Sequence, residues 1–227
     1  MKPRNHTRII TKLCEVFDRY QPTPHQFRYI VKEIRCRLKL SMPNRPKKLP
    51  DVMTDSEIYH FLKVVSNQKP MTMVLCNLLL FTGIRVSEAR NLDIRDLDFG
   101  GNVLKVVRGK GSKDRFVPLP LGLQDKIKIY LAGRKAGYLF AKSNRKPYSK
   151  RNLQYIITTT LSKCGFDKDL HTHSLRHTYA TLMLRKGLHK DKVQVILGHS
   201  SIKTTEIYTR MELGDTTTEV IKLMGYE

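Results

Sequence analysis

Five residues in this chain have the types and spacing to act on a phosphodiester: Arg85 in FTGIRVSEARNL, His173 and Arg176 in HTHSLRHTYA, His199 in LGHSS and Tyr208 in TTEIYTR. A guanidinium grips two phosphate oxygens as a planar fork, an imidazole hydrogen-bonds or moves a proton, and a phenol can attack phosphorus. Two arginines, two histidines and one tyrosine therefore compose a mechanism for cutting a phosphodiester through a tyrosine. A phenol with a pKa of about 10 is a poor nucleophile at neutral pH, so the basic surroundings matter.

Each member also has a plainer alternative. On the helix after His171, His173 and Arg176 sit three apart and share a face, while Leu175, Tyr179 and Leu182 face the core. An isolated HxxR fits equally a surface helix with incidental charge. His171, His173 and His177 could form a metal cluster, but the HxH and HxxxH spacings alone supply no carboxylate or cysteine ligand, and Arg176 would repel a cation. His199 follows Gly198, which ends one helix, and so stands at the mouth of the next, where N–H groups favour an anion. A capping or buried histidine would suit that position too. Tyr208 is one of ten tyrosines, but it lies in a polar stretch that gives a purely structural tyrosine little apolar company. Arg85 has an obvious salt-bridge partner in Glu88, three residues on. A carboxylate that aims the arginine supports a phosphate clamp, so the two readings coexist.

The turn Gly109-Lys110-Gly111-Ser112-Lys113 lacks the GxxxxGK[ST] order and precedes a strand, which disfavours a nucleotide-triphosphate loop. Lys110, at the tip of a hairpin, can instead hand a proton to a leaving oxygen, while Lys113 and Arg115 touch backbone phosphates.

The elements that must position these groups follow from pattern. Residues 1–44 read as a short basic helical arm. One amphipathic helix carries Phe27, Ile30, Val31, Ile34 and Leu38, and a shorter one runs around Ile9 to Phe17. A Pro-rich linker follows at 45–52, and a body spans 53–227. The body opens on the capping box Thr54-Asp55-Ser56-Glu57. MTMVLCNLLLF is too uniformly apolar for a surface helix, so it runs through the core and ends at Gly83, leaving Arg85 at a helix terminus. LDF, NVLKVV and FVPLP predict a small antiparallel sheet with a glycine-bearing hairpin. Further helices are predicted over 121–134, 149–164 with Ser149 as cap, 172–187, 189–197, 201–210 and 216–224. The fold class is α+β, mostly helical with a small antiparallel β-sheet.

Composition points to the partner. Forty-two Lys+Arg against 20 Asp+Glu leave +22, of which residues 1–50 hold 13 basic and 3 acidic groups. Such an excess fits a polyanion, with nucleic acid first. The longest apolar run, residues 74–81, is far shorter than the ~20 residues of a spanning helix, so no membrane partner is expected. The start lacks a secretory signal, and the four scattered cysteines fit reduced thiols, so the expected location is cytoplasmic.

Taken in order, TGIRVSEARNL, GKGSKDRFVPL, HTHSLRHTYAT and LGHSSIKTTEIYTR closely resemble the tyrosine recombinase (phage integrase) family over about residues 50–215. The resemblance implies that Arg85, Lys110, His173, Arg176 and His199 activate a DNA phosphate and that Tyr208 attacks it, forming a 3′-phosphotyrosyl link and freeing a 5′-hydroxyl. It implies His173 as general base, Lys110 as general acid and His199 as a hydrogen-bond donor to phosphate. No cofactor is implied, and the partners are double-stranded DNA and further copies of the chain: a homotetramer on synapsed sites, a monomer or dimer off DNA, nucleoid-associated in a bacterium or archaeon. About fifty residues precede the body, where family members of the usual kind carry a longer N-terminal helical domain that closes a clamp. In the family the C-terminal helix often docks into a neighbour, and TTTEVIKLMG, with Val220, Ile221 and Leu223, is the matching segment. The competing readings are a non-productive DNA-binding module of the same fold and a topoisomerase-like enzyme that relaxes one strand.

Overall fold

Caps and apolar periodicity account for most of the helices seen. The computed structural model describes residues 4–40, 50–107, 114–143, 145–198 and 210–224. They fall into two compact units, Met1–Lys48 and Leu49–Glu227.

The first unit is a pair of helices, α1 (Arg4–Tyr20) and α2 (Pro24–Arg37). Thr23 caps α2: its hydroxyl accepts from the Gln26 N–H, and the Gln26 side chain accepts from the Thr23 N–H at 2.9 Å. Phe17 and Phe27 meet edge to face with ring centroids 5.0 Å apart. The first helix, expected to be the shorter, is the longer at 17 residues against 14. Its basic first turn, RNHT, is helical although its apolar residues begin only at Ile9.

The second unit is built around α4 (Pro70–Thr82), whose last nine residues, Val74 to Thr82, are all buried. Packed on it are α3 (Asp55–Ser66), α5 (Val86–Asn91), α6 (Leu121–Leu131), α7 (Lys150–Ser162) and α8 (Thr172–Arg185). The predicted capping box at Thr54 and Glu57 is present, and Ser149 caps α7 through the Asn152 N–H at 3.1 Å. Gly83 ends α4 in the left-handed region at φ 62°, where a side chain is strained. Three short strands, β1 (Leu97–Asp98), β2 (Val103–Val106) and β3 (Arg115–Pro118), form an antiparallel sheet in the order β1-β2-β3. Register pairs Leu104 with Val117 and Val106 with Arg115. The chain closes with α9 (Lys190–Leu197), stopped by left-handed Gly198, and α10 (Arg210–Met224). The fold is α+β, mostly helical with one small antiparallel sheet.

In this unit two helix boundaries differ most from expectation. Ala132 adopts φ 47° and, with left-handed Gly133 next to it, ends α6 three residues before the predicted 134. The C-terminal helix starts at Arg210 rather than 216. It packs against β3, with Thr216, Thr217, Val220 and Met224 buried and a Lys192–Glu219 ion pair of 2.6 Å. Val220, expected among the anchors for a neighbouring copy, is thus spent inside its own chain. The predicted hairpin turn at 108–113, and residues 201–209 of the helix predicted over 201–210, lie outside the described residues. Among the described residues, no helix is long and apolar enough to cross a membrane.

Candidate active site

Arg85 is held by the three-residue passage between two helices. Gly83 caps α4, and Arg85 is the extended N-cap of α5, so the chain turns sharply and presents the arginine at the junction. Its backbone N–H donates to Glu88 Oε2 at 2.7 Å and its Nη1 donates to Glu88 Oε1 at 3.0 Å. The expected pairing is therefore present in both backbone and side chain.

Glu88 has a second and tighter partner. Arg115 donates Nη1 to Oε1 and Nη2 to Oε2, both at 2.9 Å, and its Nε donates to the Ile196 carbonyl at 2.7 Å. Each carboxylate oxygen thus accepts two hydrogen bonds, filling the roughly four acceptor positions such a group offers. Burial alone would push the Glu88 carboxyl up. The hydrogen bonds and charge of Arg115, then the Arg85 amide and the Arg85 charge, more than offset this and bring it from 4.5 to about 2.

That depression has a sign that can be tested. A carboxyl whose folded pKa lies below its unfolded one stabilises the fold fully above about 4.5 and loses that contribution as pH falls toward about 2. The drop corresponds to about 3 kcal/mol. In urea titrations, the stability gap between wild type and Glu88→Gln should be widest at pH 6 and shrink to about half at pH 3. A gap that is constant with pH would mean the carboxylate charge is not what matters.

The placement of Arg115 corrects an expectation. Expected to touch backbone phosphates, it is only 8% exposed and hydrogen-bonded within the protein to Glu88 and to the Ile196 carbonyl. The alternation of β3 accounts for this: Arg115 shares a face with Val117, and both sit across from the buried Val106 and Leu104. Period two along R-F-V-P was the available signal, masked by the run of charge that precedes it.

Arg176 sits on α8 and is 6% exposed. Its Nη1 donates to the Gly83 carbonyl at 2.7 Å and its Nη2 to the Leu197 carbonyl at 2.5 Å. One guanidinium therefore binds two helix ends: that of α4, two residues before Arg85, and that of α9, two residues before His199. The last carbonyls of a helix lack partners within it and carry partial negative charge, so cations suit them. Arg115 takes the neighbouring carbonyl, Ile196. Neither carbonyl acceptor is readable from local sequence.

His173 lies on the exposed first turn of α8, three residues before Arg176. The helix start is fixed by the His171 N–H donating to Ser174 Oγ at 3.2 Å. Partial loss of water, then the charges of His171, His177, Arg176 and Lys150, lowers the His173 pKa from 6.5. A neutral imidazole, able to accept a proton, is therefore the favoured form at pH 7. The His171 and His173 rings are 6.1 Å apart, and among the described residues no three His, Cys, Asp or Glu converge as a metal-holding group. Lys110, Lys113, His199 and Tyr208 lie outside the described residues. The described geometry unites Arg85, Glu88, Arg115 and Arg176 with the ends of α4 and α9.

Comparisons with known proteins agree with this framework. The phage integrase family profile matches residues 51–213. The tyrosine recombinase XerA of Pyrococcus furiosus is 39% identical over 178 residues, covering 76% of this chain and 62% of that protein. The crystal structure of XerA recombinase superposes with a TM-score of 0.62 at 25% identity, covering 93% of this chain and 81% of that one. XerH site-specific recombinase bound to difH substrate, in a pre-cleavage complex, gives a TM-score of 0.60 at 26% identity over 74% of this chain and 53% of that one. The chain spans about three fifths of the length of the curated relatives it matches. With a family match across most of its length and a fold to go with it, the chain belongs to the phage integrase family.

Proposed function

We propose that this protein is a site-specific recombinase that cuts and rejoins duplex DNA through a 3′-phosphotyrosyl intermediate on Tyr208. The observation that carries the reading is the seating of Arg176, which ties the segment delivering Arg85 to the helix end that leads to His199. Membership of the family, and relatives named as tyrosine recombinases, support it further.

The Tyr208 oxygen attacks phosphorus, the bond to the 5′ oxygen breaks, and the phenol proton passes to neutral His173. Lys110 gives a proton to the departing 5′ oxygen. Arg85, Arg176 and His199 stabilise the charge that grows on the nonbridging oxygens. The new ester retains the energy of the broken one, so a 5′-hydroxyl from another strand can reverse the step and complete exchange. Lys113 and much of the +22 charge hold the DNA backbone. We assign residues 1–44 to a helical arm that clamps DNA, 45–52 to its linker and 53–227 to the catalytic body. Four copies act on two synapsed sites, with a monomer or dimer as the form off DNA.

Incubation with supercoiled plasmid and with a randomised, suicide-nicked duplex library tests this reading. Recombination requires a detergent-stable protein–DNA adduct together with recombinant product. Adduct without product would indicate a relaxing enzyme, and tight binding with no adduct on any duplex would leave a DNA-binding module.

A further inference from the structure

We propose that Arg115 is a positioning residue for strand cleavage, holding Arg85 in its phosphate-binding pose through Glu88 while anchoring the end of α9 through the Ile196 carbonyl. The inference rests on the strand-cleavage reading above and goes beyond it in assigning work to a residue that need never touch DNA.

The geometry runs from inside to outside. Side-chain exposure rises from 8% at Arg115 to 12% at Glu88 and 36% at Arg85, so a buried cation grips a nearly buried carboxylate that grips a half-exposed cation. Arg115 meets both Glu88 oxygens in a bidentate fork, fixing the carboxylate plane, and that plane sets where Arg85 Nη1 lies. Its Nε contact to Ile196 gives the fork a third fixed point on another element. Charge follows the same logic. Glu88 and Arg85 alone would sum to zero, whereas the trio carries +1, so the exposed arginine keeps its attraction for a phosphate. Arg115 also lies on β3, the strand that leaves the lysine-bearing hairpin, so one side chain links that strand, the α5 start and the α9 end.

Three measurements on Arg115→Lys, with Arg115→Ala beside it, test the inference. Lysine keeps the charge and loses the fork. On a duplex recovered from the trapping experiment, Arg115→Lys should form adduct about 10–100-fold more slowly in single turnover, the usual scale for partners that orient a first contact. On the same duplex with a methylphosphonate at the scissile position, where a nonbridging charge is absent, the variant should match wild type, because there is less charge for a well-placed Arg85 to offset. Relaxation of the Arg85 Nε–H in ¹⁵N-labelled protein should fall from a rigid order parameter to below about 0.6 in the variant. An equal loss on both duplexes would mean that Arg115 serves folding alone, and an undiminished rate on the phosphate duplex in a folded variant would overturn the proposal outright. Should wild type form no adduct with any DNA, the recombinase reading fails by itself. The Arg85 order parameter then decides the positioning claim without DNA: a rigid Arg85 in Arg115→Lys rejects it, a loosened one sustains it.

Discussion

Arg176→Ala is expected to lose strand cleavage by at least about 10²–10³-fold, the usual consequence of removing one donor to a developing oxyanion. The structure adds a second effect. The Gly83 and Leu197 carbonyls would each lose a charged donor, and an unsatisfied buried acceptor costs about 1–3 kcal/mol. Melting temperature should therefore fall as well, by about 2–4 °C for each kcal/mol in a chain of this size. Arg176→Lys separates the two effects: it keeps one charge in a buried site but cannot span both carbonyls as a planar fork. We expect it to recover part of the stability and little of the cleavage, with DNA binding retained in both variants. Cleavage recovering in step with stability would make Arg176 a structural bolt only.

Gly83→Ala should be strongly destabilising for a single added methyl. At φ 62° an alanine is strained by about 1–2 kcal/mol. The added Cβ would also sit 2.6 Å from the Tyr179 ring and 2.7 Å from Leu197 Cδ2, far inside contact distance. Tyr179 is fully buried and cannot move aside cheaply, so overpacking adds about 1–3 kcal/mol. The strain falls between α4 and Arg85, on the residue whose carbonyl Arg176 binds. Thermal unfolding should show a loss of about 5–15 °C, and Arg85 should be displaced in a crystal structure of any folded fraction. A melting temperature within a degree of wild type would mean that the α4–α8 packing is looser than described.

What could be read without coordinates was whatever a short window decides. The Thr54 and Ser149 caps, the Gly83 and Gly198 stops and the alternation of the sheet each depend on residues a few positions apart, and each matches. The pairing of Arg85 with Glu88, three residues apart, belongs to the same class. The place of Arg115 is not legible in a short window, because its partners lie 27 and 81 positions away and the charged run before it hides the register of β3. Arg176 was expected on a face with His173, but its burial against two carbonyls depends on how three helix ends meet, which periodicity on α8 alone cannot contain. Val220 is one of few apolar anchors on a polar helix, and only tertiary packing decides that it is buried within its own chain.

The most direct test of the account is to identify the bond between protein and DNA. The trapped adduct, digested and sequenced by mass spectrometry, should carry a nucleotide on Tyr208 joined to a 3′-phosphate, with a free 5′-hydroxyl on the other fragment and no adduct from Tyr208→Phe. A nucleotide on another side chain, a 5′-phosphate linkage, or undiminished adduct from Tyr208→Phe would contradict it.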